Sequence, residues 1–112
     1  PLLLLGERGQ NITPNNVPAA VIAPVLEACD EHLREVVDIL GITHIIGIGK
    51  YAEQRARKAF AAGKKGPGQS RNGRKITIDT CWHPSPASPL ANKNKGADWR
   101  ANVVACLQRN GC

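Results

Sequence analysis

The run Trp82-His83-Pro84-Ser85-Pro86-Ala87-Ser88-Pro89-Leu90-Ala91-Asn92-Lys93 sets an imidazole at the head of a segment stiffened by three prolines. An imidazole N–H held still can donate to an oxygen that gains charge as a bond breaks. The plainer reading of a lone histidine is a loop cap, and residue type alone does not separate the two. The same stiffness gives the segment a firm edge against a flat partner such as DNA. A second place for chemistry is Gly47-Ile48-Gly49-Lys50-Tyr51-Ala52, which fits G-x-G-x-x-A between a strand and a helix. There Gly49 would let a phosphate approach the helix N-terminus, and Lys50 would add charge. A dinucleotide site also needs an acid some 20 residues on. Residues 64–74 hold only basic and neutral side chains. The pattern fits equally well a pair of glycines that permit a tight turn.

The four cysteines, at positions 29, 81, 106 and 112, have no paired spacing, so neither a disulfide framework nor a zinc site is expected. We expect no metal and no cofactor. The compartment is expected to be reducing, cytosol or nucleus. Net charge is +6 and unevenly placed: residues 1–49 hold two bases against six acids, residues 50–112 thirteen bases against three acids. Such a basic half suits a polyanion, most often nucleic acid, although a solvated basic face would look the same. Four aromatic residues are too few for a platform that stacks many single-stranded bases.

The elements that must position these residues follow from periodicity. Leu2–Leu5 is a continuous apolar run, read as a strand covered on both faces. Residues 6–17 form a loop in which Thr13-Pro14 signals a helix start. A helix follows with an apolar face at Val25, Leu26, Cys29, Leu33, Val36, Val37 and Leu40; Gly41 stops it, and Pro24 must lie in its first turn or kink it. Residues 42–48 read as a second buried strand. Residues 50–62 read as a helix with Ala52, Ala56, Ala59 and Phe60 inward and Arg55, Arg57 and Lys58 outward. Residues 63–74 read as a mobile basic loop, 75–80 as a third strand, 82–90 as irregular, and 97–110 as a helix facing inward through Val103, Val104 and Leu107. Strands separated by helices predict a parallel sheet, with sites at the carboxyl ends of its strands. The 112 residues suffice for one domain that buries roughly 65% of its unfolded surface. With 42% apolar and 21% charged residues, general disorder is excluded, and no apolar run approaches the ~20 residues of a membrane span. The chain holds no methionine and opens at Pro1, so further sequence is expected upstream.

His83-Pro84-Ser85-Pro86, then Pro89 and Ala91-Asn92-Lys93, resemble the second motif of the uracil-DNA glycosylase superfamily, in particular its single-strand-selective monofunctional branch. Asn11-Ile12-Thr13-Pro14, Cys29-Asp30, Gly47-Ile48-Gly49 and Ala52-Glu53-Gln54-Arg55-Ala56-Arg57 also fall where that branch has close equivalents, so the resemblance covers nearly the whole chain outside 63–74. It implies a three-layer α/β fold with a parallel sheet, present here as one partial domain over 1–112, the C-terminal portion of the whole. It implies base-excision repair in the nucleus: a monomer flips uracil, or an oxidised 5-methyl derivative, out of single- or double-stranded DNA and hydrolyses its N-glycosidic bond. His83 matches the histidine that stabilises charge on the uracil O2. Pro84, Ser85, Pro86, Ala87 and Ser88 inherit the role of the wedge that enters the duplex. Gly9, Asn11, Thr13 and Pro14 match a further DNA-contacting segment, and Gly49, Lys50, Asn92 and Lys93 complete the expected DNA-binding set.

Three departures bear on activity. Ala87 and Ser88 stand where the family places Arg-Asn, and Leu90 replaces a glutamine. The first family motif is absent; it carries the asparagine that positions the attacking water and the aromatic that stacks on uracil. Three functions therefore stand side by side. They are a glycosylase represented by a partial chain, a non-catalytic nucleic-acid-binding remnant, and a nucleotide-binding domain resting on the Gly47 turn alone.

Overall fold

The computed structural model of the chain describes residues 4–63, 66–85 and 88–112. Leu4–Leu5 is β1, Asn11–Ile12 β2, His44–Ile48 β3, Gly68–Gln69 β4 and Lys75–Cys81 β5; the helices are α1 (Ala19–Leu40), α2 (Lys50–Ala59), α3 (Pro89–Asn92) and α4 (Ala97–Arg109). Period-two alternation in β5 sends Ile76 and Ile78 to one face, where they are buried against Val37 of α1 and Ala56, Ala59 and Phe60 beyond and within α2. The other face carries Asp79, which α4 covers through Arg109 and Asn110. Helices therefore lie on both sides of the sheet.

The sheet is mixed, which corrects the parallel one expected. β3 and β5 are parallel, with Ile45 opposite Ile78 and Gly47 opposite Thr80, but β4 runs antiparallel to β5 in the order β3-β5-β4. The reason lies in the segment read as a mobile loop. Gly68 fits against Phe60, since a β-carbon there would lie 2.7 Å from the Phe60 Cβ. The amide of Gln69 donates to the Phe60 carbonyl at 3.1 Å, and Ser70 and Arg74 close a tight turn. Lys64 and Lys65 lie outside the described residues.

The opening strand is corrected too. β1 pairs antiparallel with β2 in a separate two-stranded sheet, and Leu5 is exposed. Gly6 donates to the Gln10 carbonyl at 2.9 Å, so the pairing closes over a short loop at little entropic cost. Leu2 and Leu3 lie outside the described residues. Thr13-Pro14 starts a single 3₁₀ turn, Pro14–Asn16, rather than the long helix; the Thr13 amide donates to Asn16 Oδ1 at 3.3 Å.

α1 begins at Ala19, earlier than expected, because Ala19 and Ala20 extend it and Pro24 is carried inside. Gly41, at φ 64°, ends it as anticipated. Its buried residues are Ile22, Asp30 and Val37; Cys29 and Leu40 of the expected face are exposed. In β3, Ile48 is 55% exposed rather than buried, because among the described residues β3 is an edge strand. α2 ends at Ala59 rather than Ala62, where Ala61 turns to φ 51°. Pro89, at the first turn of α3, shows how a segment with three prolines still admits helix. In α4 the fully buried residue is Cys106, whereas Val104 and Leu107 of the expected inner face are exposed, at 50% and 39%.

Arg55 and Arg57 point inward, which corrects the outward face assigned to them; Lys58 is exposed. Arg55 reaches across to Asp30 of α1, whose carboxylate is 4% exposed. Arg57 pairs with Glu53 at 3.0 Å and donates to the carbonyls of Gly63, Gly66 and Ile78. Its five N–H groups suit this task of tying α2, β5 and the start of the 63–74 segment together.

Candidate functional site

β3 and β5 end side by side, Ile48 opposite Cys81, so the turn into α2 and the loop after β5 emerge together. Two local features bring them close. Gly47 lies under α2, with a virtual β-carbon 2.5 Å from the Glu53 nitrogen, so no larger residue fits without displacing the helix. Gly49, at φ 91°, donates its amide to the Cys81 carbonyl at 2.8 Å, and the carbon of a side chain there would sit 3.4 Å from the His83 Cβ. The glycine turn thus serves as the floor under His83.

The His83 ring is exposed, and its Nδ1 accepts the backbone N–H of Ser85 at 3.0 Å. A backbone amide can only donate, so Nδ1 carries no proton in the neutral imidazole, and the hydrogen sits on Nε2. With Nδ1 engaged in this way, Nε2 is the ring nitrogen left to face a ligand.

A cavity of about 430 Å³ opens beside it, lined among others by Gly49, Lys50, Cys81, His83, Ser88 and Leu90. Of the residues singled out from sequence, the cavity therefore unites His83, Gly49, Lys50 and Ser88. Pro84 is exposed, Ser85 is half-buried, and Asn92, the last residue of α3, and Lys93 just beyond it are exposed, with Lys93 Nζ 3.9 Å from Asp98. Gly9, Asn11, Thr13 and Pro14 sit on the β1–β2 hairpin and its following turn and are not among the cavity's lining residues. Pro86 and Ala87 lie outside the described residues. Among the described residues no group of three His, Cys, Asp or Glu side chains could hold a metal ion, and no helix is long and apolar enough to cross a membrane.

The inner wall includes Asp79 and Arg109, which sequence reasoning passed over. Burial pushes the Asp79 carboxyl up, but bonds from Arg109 (3.1 Å), the Thr80 amide (2.8 Å) and Asn110 (2.9 Å) outweigh it and hold the pKa down at about 2. Burial, followed by the Asp79 charge, pushes the Cys106 thiol up, away from thiolate chemistry. A depressed carboxylate pKa stabilises the fold above the unfolded value of about 4 and loses that contribution as pH falls through 4 toward 2. Unfolding by urea at pH 6 and pH 2.5 is expected to show Asp79→Asn losing about 1 kcal/mol of this acid dependence, after allowance for solvent screening. Equal acid dependence in the variant and the parent would mean that the Asp79 cluster does not anchor α4.

Two further residues were missed. Asn102 Oδ1 accepts the Trp82 N–H at 2.8 Å, and Trp99 Nε1 donates to the Trp82 carbonyl at 2.9 Å. Their signal was present as a tryptophan and an asparagine three apart on one helix, a spacing that shares a face.

The chain is a mixed α/β domain in which His83 follows a strand end beside a glycine turn, where two parallel strands finish together. No family model matches the chain. Over 111 residues, 99% of its length, it is 41% identical to a single-strand selective monofunctional uracil DNA glycosylase of Bos taurus, 39% to that of Rattus norvegicus and 36% to that of Mus musculus. The chain is homologous to the single-strand selective monofunctional uracil-DNA glycosylases, matching a C-terminal fragment of that family. It spans about a third of the length of these relatives, 35–36%.

Proposed function

We propose that this chain is the histidine-bearing part of a base-excision DNA glycosylase that acts on uracil, or on oxidised 5-methyl uracil derivatives, in nuclear DNA. The observation that carries the reading is the His83 ring, with Nδ1 engaged by the Ser85 amide and an Nε2–H left to donate. In the reaction, water adds to the sugar C1′ as the bond from C1′ to the base nitrogen breaks, and the electron pair of that bond leaves with the base. The negative charge spreads onto the base O2, and a fixed neutral N–H beside that oxygen stabilises it most when the charge is greatest. A neutral donor also avoids handing its proton over completely. Lys50 at the start of α2 and the basic half of the chain would meet the phosphates, and the loop from Pro84 to Ser88 would fill the gap left by the flipped base. Ala87 offers only a methyl group for that gap, which favours single strands, where no partner base is left behind.

The experiment is a uracil-containing oligonucleotide incubated with the 112-residue chain and with a longer polypeptide that carries it and the first motif. The short chain is expected to leave uracil in place, because water activation and base reading belong to the missing motif. The longer one is expected to produce alkali-labile abasic sites in proportion to its dose. A longer polypeptide that binds DNA but releases no uracil would establish the non-catalytic remnant instead.

A further inference from the structure

We propose that Trp99 and Asn102 are positioning residues for His83, acting through the backbone of Trp82. The proposal depends on the glycosylase reading for what His83 does, but not for how it is held.

His83 is exposed, and among the described residues its ring has one hydrogen bond, to the Ser85 amide of its own loop. Its direction relative to the sheet must therefore come from the backbone beneath it. Pro84 restricts residue 83 to extended conformations but says nothing about the angle at which the loop leaves the strand. β5 ends at Cys81, so Trp82 is the first residue beyond the ladder, and among the described residues its N–H and C=O have no strand partner. Both are taken by α4. Asn102 Oδ1 receives the Trp82 N–H, and the Trp99 indole N–H reaches the Trp82 carbonyl. That carbonyl belongs to the planar peptide whose nitrogen is His83's own, so the indole fixes the plane from which the imidazole projects. Gly49 leaves no spare room beside the ring, since a β-carbon there would lie 3.7 Å from the His83 Cδ2.

The rest of α4 fits this purpose. Its start is reached through three successive left-handed residues, Asn94 (φ 50°), Lys95 (φ 55°) and Gly96 (φ 82°), two of them non-glycine and costing about 1–3 kcal/mol each. The amide of Asn94 donates to both oxygens of Asp98 at 3.1 Å and holds the turn. The far end is anchored by Arg109 and Asn110 on Asp79. With both ends tied, the first two turns of the helix hold the root of the His83 loop at Trp82.

The test uses the ¹⁵N-labelled 112-residue chain. Imidazole nitrogen resonances report the His83 tautomer, and hydrogen exchange reports the Ser85 amide. The parent is expected to hold the Nε2–H tautomer and a protected Ser85 amide. Trp99→Phe removes the donor and keeps an aromatic ring, and Asn102→Ala removes the acceptor. Each is expected to mix the tautomers and to speed Ser85 exchange about tenfold, while the amides of Ile76 and Ile78 stay protected. Asn102→Asp keeps an acceptor oxygen and is expected to restore the parent behaviour, which a role in packing alone would not predict. If Asn102→Ala loses core protection, Trp99→Phe and Asn102→Asp decide. An unchanged tautomer and unchanged Ser85 exchange in Trp99→Phe would overturn the proposal. In a longer, active polypeptide, Trp99→Phe is expected to lower kcat about tenfold with little change in KM. A shifted tautomer with an unchanged rate would leave the positioning intact and remove the glycosylase role of His83.

Discussion

Replacing His83 with alanine in an active polypeptide carrying this chain is expected to lower the rate of uracil release by about 10²–10³, with DNA affinity nearly unchanged. The size follows from the loss of one fixed donor to a developing oxyanion, worth about 2.7–4 kcal/mol. The split follows from when the interaction forms. In the ground state the base O2 carries little charge and the donor contributes little; as the glycosidic bond breaks, the charge grows and so does the contribution. The Nδ1 bond to the Ser85 amide makes the prediction specific, because it leaves Nε2–H as the donating group in the neutral ring. Single-turnover rates on a uracil-containing single strand, beside equilibrium binding to the same strand at one salt concentration, make the measurement. A variant that keeps its rate would leave His83 a structural loop residue.

The largest effect on stability is expected at Arg55. Its partner Asp30 is 4% exposed and sits in α1 facing α2, so the pair joins the two helices that cover one face of the sheet. Arg55→Ala would strand a buried carboxylate, at a cost of about 3–5 kcal/mol. That is a large part of the 5–15 kcal/mol typical of a whole domain. Asp30→Asn together with Arg55→Ala is expected to recover much of the loss, since the uncompensated charge is then gone. Urea midpoints of the single and double variants decide it. A loss under about 1 kcal/mol for Arg55→Ala would mean that water or another group reaches Asp30.

These two predictions rest on residues that were legible in sequence to different degrees. His83 stood out because a histidine followed by Pro84 has few backbone choices, and restriction of that kind is local and readable. Arg55 was misread because helical spacing divides apolar from polar positions and takes charge to mean solvent. A guanidinium that meets a carboxylate 25 residues away reverses that assignment, and no local pattern announces the meeting. For Arg57 only the pairing with Glu53 is local; its carbonyl acceptors lie on β5 and at Gly63 and Gly66.

What the sequence by itself determined is the local chemistry: the three long helices, the two strands read at 42–48 and 75–80 to within a residue or two, the αL stop at Gly41, and the proline-stiffened loop after β5 with its histidine. Each depends on residue types within a few positions of one another, where sterics and hydrogen bonding act without help from the rest of the chain. Tertiary structure decided the antiparallel β4, the local pairing of β1 with β2, and the burial of Arg55 and Arg57. It also decided the approach of Gly49 to His83 and the hold of Trp99 and Asn102 on Trp82. Each of these joins groups through partners that only the folded chain brings within hydrogen-bonding or van der Waals range. A residue's type says what it can bond; which partner it meets depends on how the layers stack.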